Sequence, residues 1–185
     1  MSDHSELKQM LIDNEGSVEY LYLDTVGRVT VGVGHMIPQV GEAQQIGFIT
    51  RDTSQPATAE QITEEFSNIG RQRPAMMASE YRQFTRLTLT PAAVGALLDK
   101  DIADMEAGVR ANFQNYNSYP GPAQDALLDM AFNLGVHGLV AHFPHLKAAA
   151  EAQDWNTCAA QCHRNGIGDA RNQKTVALFQ MAAGA

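Results

Sequence analysis

The sequence predicts a mainly helical α+β fold of two lobes, a small β-hairpin lobe and a larger helical lobe, joined by a long helix. Three observations predict it. Between Val18 and Val33 apolar residues recur at every second position, the period of a strand. From Thr90 to Phe113 they recur at every third or fourth, the period of a helix long enough to connect two lobes. Residues 126–135, ALLDMAFNLG, are apolar on most faces, as the buried centre of a helical lobe must be.

Taken in order, residues 4–14 form a short helix with Leu7, Met10 and Leu11 on one side, and Gly16 is a natural stop. In the hairpin, Val18, Tyr20, Tyr22 and Asp24 fall on one face of the first arm. On the second arm Val29, Val31 and Val33 alternate with Thr30, Gly32 and Gly34, and Val26-Gly27-Arg28 supplies the turn. Met36 to about Gln55 lacks a period and reads as mostly loop. Ala59–Ile69 is a short helix capped by Thr58, and Arg71–Thr88 has helical character only around Met76–Phe84. Thr90 as N-cap and Pro91 at the first helical position open the long helix. Its apolar stripe runs through Val94, Leu97, Leu98, Ile102, Met105, Val109 and Phe113, roughly 35 Å for about 23 residues. Pro120-Gly121-Pro122 starts the central apolar helix. Short helices follow around 138–142 and 144–152, another capped by Asp154 runs through His163, and a last one spans about Arg171 to Ala182.

Composition narrows the function. The formal charge of −8 argues against nucleic acid and against tight binding to anionic membranes. No apolar run approaches the roughly 20 residues of a membrane span, and the N-terminus does not read as a signal peptide. Arg164, Arg171 and Lys174 cluster late in the chain and leave a local basic patch open. Cys158, Cys162 and His163, with His142 and His145 upstream, invite comparison with a zinc site. Neither spacing forms a zinc signature, however, and small buried cysteines on a helix face are the commoner arrangement. We expect no metal, and no disulfide either, since i and i+4 Cβ atoms on a helix lie too far apart.

The chemistry lies in the hairpin. A carboxyl at a helix end, Glu15, and another beside a hairpin turn, Asp24, would flank a shared groove. Two carboxyls facing across a cleft are the minimum equipment of a glycoside hydrolase.

The same residues carry a family resemblance. Glu15-Gly16, Tyr22-Leu23-Asp24-Thr25, Gly27 and Thr30-Val31-Gly32-Val33-Gly34-His35 resemble, in register, the active-site signature of the phage-type lysozymes of the T-even kind. Similarity resumes at LLDKDIADME in the long helix and at ALLDMAFNLG, and it is broken over 38–87, a segment longer than its counterpart. That segment reads as an enlarged lobe, a cleft wall, a docking surface or a simple insertion. The resemblance implies one lysozyme-like domain over 1–185. Its small lobe covers about 13–88, its interlobe helix about 91–113, and its helical lobe about 114–185 with the N-terminal helix.

The resemblance also assigns roles. Glu15 is the general acid, while Asp24 and Thr30 handle the attacking water, with inversion at the anomeric carbon. For Thr30 the plain alternative is an outward-facing strand residue. Met36, Phe132, Asn133 and Arg171 are implied substrate contacts, with Arg164 a rival to Arg171 for approach to the acid and a buried core role the alternative for Phe132. His35 and Asp101 are implied to form a structural ion pair. No cofactor is implied.

The expected reaction is hydrolysis of the β-1,4 bond between N-acetylmuramic acid and N-acetylglucosamine in peptidoglycan. The alternatives are a lytic transglycosylase, a catalytically silent wall-binding module and, with a poorer fit, a family-19-type chitinase. The setting would be the periplasm or wall of a host or target bacterium, reached as a phage endolysin or as an injected effector. The latter would have an immunity protein as partner.

Overall fold

The computed structural model describes residues 4–185. The chain divides into two compact units, one of Glu15–Lys100 and one of residues up to Asn14 together with Asp101–Ala185. The first helix, α1 (Ser5–Glu15), ends at this division. Gly16 follows it at φ +75°, the left-handed conformation that ends helices and that only glycine adopts without strain.

Within Glu15–Lys100, a three-stranded antiparallel sheet has the order β1 (Val18–Leu23), β2 (Val29–Gly32), β3 (His35–Met36). The expected hairpin is therefore a meander. The second arm stops at Gly32, φ +65°, and Val33-Gly34 turns the chain back so that Val31 pairs with His35 and Thr30 with Met36. The expected alternation along β2 is absent: all four of its residues are buried. On β1 the buried side chains are Leu21 and Leu23, opposite the half-buried Tyr20 and Tyr22.

The start of the 38–87 segment is mostly loop, as expected, with two short elements in it. It holds a helical turn, α2 (Val40–Ala43), and a strand, β4 (Ile49–Thr50). Next comes α3 (Ala59–Gly70), where Thr58 and Gln61 form the reciprocal capping box. After it come α4 (Ala78–Tyr81), a 3-10 turn at Arg82–Phe84, and β5 (Leu87–Thr88), which pairs antiparallel with β4. The Leu89 amide donates to the Glu19 carbonyl at 2.7 Å and so joins this segment to β1.

A buried carboxylate fixes β5. Glu65 of α3, 6% exposed, accepts from the amides of Arg86 at 2.5 Å and Leu87 at 3.0 Å. Burial pushes its carboxyl above the ordinary range, against the pull of those amides and of the Arg51 and Arg86 charges. The folded chain therefore holds this proton more tightly than the unfolded chain. Its contribution to stability is full at acid pH and declines as pH rises through the elevated value. Glu65→Ala leaves the buried Leu87 amide without its acceptor and should cost about 1–3 kcal/mol. In urea titrations the gap to wild type should be widest at acid pH and narrow toward neutrality.

The long helix α5 (Pro91–Asn112) opens as expected, with the Ala93 amide donating to Thr90 Oγ1 at 3.1 Å, and passes from one unit to the other between Lys100 and Asp101. In the second unit follow α6 (Gly121–His142), α7 (Pro144–Glu151), α8 (Trp155–Gln161) and α9 (Asp169–Ala183). The expected separate helix at 138–142 is the far end of α6, set off by Gly135 at φ +71°, ψ +156°, a conformation reserved for glycine. The Asp154-capped helix stops at Gln161, short of His163.

α6 packs against α9, and α8 packs against α9 and α7. Leu127, Leu128, Met130 and Ala131 of α6 are essentially inaccessible, as is Phe179 of α9. Leu7, Met10 and Leu11 are the buried face of α1. His4, just before that helix, places Nδ1 2.5 Å from Asp125 Oδ1 of α6.

No single helix among the described residues is long and apolar enough to cross a membrane. α6 and α7 reach that measure only together, across an 87° bend.

Candidate active site

Glu15, Asp24, Thr30 and His35 all belong to the Glu15–Lys100 unit. Glu15 is exposed at the last turn of α1. Asp24 begins the β1–β2 turn, and one of its oxygens builds that turn: Oδ1 accepts from the amides of Val26 at 2.9 Å and Arg28 at 2.8 Å. This is the Asx arrangement that makes Asp a turn former. It holds the carboxylate still and leaves Oδ2, which accepts from none of the described residues, for chemistry.

Thr30 is 2% exposed, which sets aside an outward-facing strand residue. Its hydroxyl donates to the Arg28 carbonyl at 3.0 Å. With that proton committed, Thr30 Oγ1 offers a new partner its lone pairs, which suits it to accept from a water.

Tyr22 stands directly opposite Thr30 in the β1–β2 register and precedes Asp24 by two residues, on the same side of an extended chain. Burial, then the charge of Asp24, then that of Glu15 push its phenol above the ordinary value. A single hydroxyl thus lies in the field of both candidate carboxylates. Tyr22 is absent from the residues singled out by sequence, although its place on the Asp24 face was visible there.

His35 is half-buried and pairs through its backbone with Val31; Met36 is 39% exposed beside it. A polar hollow of about 820 Å³ in the same unit is lined by Arg51, Glu65, Asn68, Arg71 and Arg86 among others, and by none of the candidate catalytic residues.

The remaining candidates belong to the other unit. Phe132 is half-buried on α6 and Asn133 is exposed next to it, so Phe132 is not a wholly buried core residue. Asp101 is half-buried on α5.

The basic patch left open at Arg164, Arg171 and Lys174 is met by carboxylates in this unit. Arg164, 2% exposed, sets Nη2 2.6 Å from Asp129 Oδ2, and its backbone is clasped by the Asn172 side chain. Arg171 meets Asp129 Oδ1 through Nε at 3.0 Å and Nη2 at 2.9 Å. Thr175 Oγ1 donates to Asp129 Oδ2 at 2.8 Å. Lys174 Nζ lies 3.6 Å from Asp13.

The cysteines are core residues. Cys158 and Cys162 are both inaccessible, and burial pushes the Cys158 thiol up to about 12, the reverse of what a thiolate metal ligand requires.

A small antiparallel sheet with two carboxyls at its edge, followed by a long helix and a helical unit around an apolar central helix, defines a lysozyme-type α+β protein. The phage lysozyme profile matches residues 69–176, more than half of the chain, and the chain belongs to the phage lysozyme family. Among individual proteins it is similar to probable T4-type lysozyme 1 of Dictyostelium discoideum. The two are 24% identical over 160 residues, which span 85% of this chain and 81% of that protein. The profile match begins beyond the hairpin that holds Asp24 and Thr30, and beyond Glu15.

Proposed function

We propose that the chain is a muramidase that hydrolyses the β-1,4 bond between N-acetylmuramic acid and N-acetylglucosamine in peptidoglycan, with inversion. Family membership supports the substrate class. The observation that supports the reaction is that the charges of both Asp24 and Glu15 act on the Tyr22 phenol, on a strand residue paired with Thr30. Glu15 gives its proton to the glycosidic oxygen as the bond breaks. Asp24, through Oδ2, takes a proton from a water that Thr30 Oγ1 also holds, and that water attacks the opposite face of the sugar. Met36, Phe132, Asn133 and Arg171 serve as glycan contacts, and His35 and Asp101 as a structural ion pair. No cofactor enters this scheme.

The test is the product. Digestion of purified peptidoglycan should yield new reducing ends with the α configuration at the first moment of release, read by proton NMR. Muropeptides ending in anhydro sugars would make the protein a lytic transglycosylase instead, and binding without cleavage would make it a wall-binding module. The place of action under this reading is the bacterial wall, reached as an endolysin or as an injected effector. The effector role predicts a small immunity protein that blocks the same digestion.

A further inference from the structure

We propose that the polar hollow between α3 and the β4–β5 pair binds a short peptide bearing both a free carboxylate and a free amine, namely the peptide branch of the peptidoglycan substrate. This rests on the muramidase reading.

Every residue that lines the hollow lies between Thr50 and Leu87, inside the 38–87 segment. One wall is a face of α3, where Gln61, Glu65 and Asn68 recur at spacings of four and three and so stand in a row. Arg71 continues that row just past the helix end. Arg51 at the end of β4 and Arg86 before β5 belong to the other wall. Phe84 and Leu87 are the only apolar residues of the lining. At about 820 Å³ the hollow falls within the roughly 300–1,000 Å³ of pockets that enclose small ligands.

Its charges are of both signs and are not spent on one another. Arg51, Arg71 and Arg86 line it, and so do Asp52, Glu64 and Glu65. Among the described residues none of these three arginines has a carboxylate oxygen within 4.0 Å. Arg51 is held by neutral groups instead, with Nη2 donating to Thr85 Oγ1 at 2.7 Å. Glu65 is committed to the Arg86 and Leu87 amides. Arg71 and Arg86 therefore remain as exposed cations, and Asp52 and Glu64 as exposed anions, around one concavity. The other unit differs, since Arg110, Arg164 and Arg171 each meet a carboxylate there.

That arrangement selects the ligand. A neutral sugar would desolvate these charges without pairing them, and a plain anion would be opposed by Asp52 and Glu64. A zwitterionic peptide answers both signs: its carboxylate takes the forked donors of Arg71 or Arg86, and its amine takes Glu64 or Asp52. Peptidoglycan carries short peptides with such groups on its glycan strands. Arg51 also lies 5.9 Å from the ring of Tyr20 on β1, the strand that runs on to the Asp24 turn. A peptide held here adds binding energy from a part of the substrate remote from the bond that breaks.

The experiment compares wild type with the double variant Arg71→Ala/Arg86→Ala, with thermal unfolding alongside. By calorimetry the tripeptide alanyl-glutamyl-lysine should bind wild type, and its form acetylated on both amines and amidated on both carboxyls should not. The variant should bind the tripeptide about 10-fold more weakly, as two accessible charge contacts are lost. In digestion, the ratio of kcat/KM on intact peptidoglycan to that on glycan strands stripped of peptide should fall about 10-fold in the variant. No tripeptide binding by wild type, or equal binding of the neutral form or of inorganic phosphate, would overturn the proposal. So would an equal loss on both substrates, which would make the arginines part of the fold or of glycan binding. If wild type cleaves neither substrate, the muramidase reading falls and this inference falls with it. If wild type cleaves, Glu15→Gln is dead and the variant keeps the wild-type ratio, only this inference falls.

Discussion

Glu15→Gln is expected to abolish wall lysis while leaving the fold intact. Removing a general acid costs about 10²- to 10⁴-fold in rate, and glutamine is nearly isosteric with glutamate but has no proton of suitable acidity to give. Glu15 is exposed at the last turn of α1, so the isosteric amide leaves the buried core untouched. The variant should therefore unfold within about 0.5 kcal/mol of wild type. Peptidoglycan turbidity and urea titration of the same preparation check both halves. Full activity would remove Glu15 from the mechanism. Lost activity with a large loss of stability would mean that Glu15 supports the fold.

Asp129→Ala should give the largest stability loss in the chain. The Asp129 carboxylate is inaccessible and receives Arg164, Arg171 and Thr175 at 2.6–3.0 Å. The two ion pairs recover the desolvation cost only while the carboxylate is present. Removing one partner of a buried pair costs about 3–5 kcal/mol, because the opposite charge stays buried without compensation. For a chain of this size that corresponds to a fall in melting temperature of about 6–20 °C. The loss should fall on α6, α8 and α9 together, since Asp129 lies on the first and its partners on or just before the last. Amide exchange followed by mass spectrometry would read this as lost protection in all three helices. A change below 1 kcal/mol would show that Arg164 reaches solvent by rearrangement.

Long or well-capped elements were legible in the sequence because their signals are local. Thr58 and Gln61 at α3, Thr90-Pro91 at α5 and Gly16 after α1 each satisfy or end a helix within a few residues. β3 was not legible, since two residues carry no period. β4 and β5 pair across nearly forty residues, and each is too short to announce itself. The split of α6 at Gly135 depends on one backbone conformation that a glycine permits but does not demand.

The candidate site divides along the same line. Glu15, Asp24 and Thr30 stand out by type and spacing. The uses of their individual atoms do not: that Asp24 spends one oxygen on the turn and Thr30 spends its proton on Arg28 depends on coordinates. The late arginines were left open for a related reason. Charge counting along the chain cannot see that Asp129, a single acidic residue inside an apolar helix, lies 35 and 42 positions from the arginines it binds.

The unit built from both ends of the chain imposes an order of events on the ribosome. Glu15–Lys100 is a continuous stretch and can close its core once those residues have emerged. α1 is made before them, yet Leu7, Met10 and Leu11 belong to the unit whose other part begins at Asp101, and His4 finds Asp125 only after 121 further residues. At roughly 5–20 residues per second, the C-terminal 85 residues take on the order of ten seconds to make. For that interval α1 has no core to enter. A nascent-chain protease should cut near Met10 until the 101–185 stretch has emerged, and leave Glu15–Lys100 intact well before.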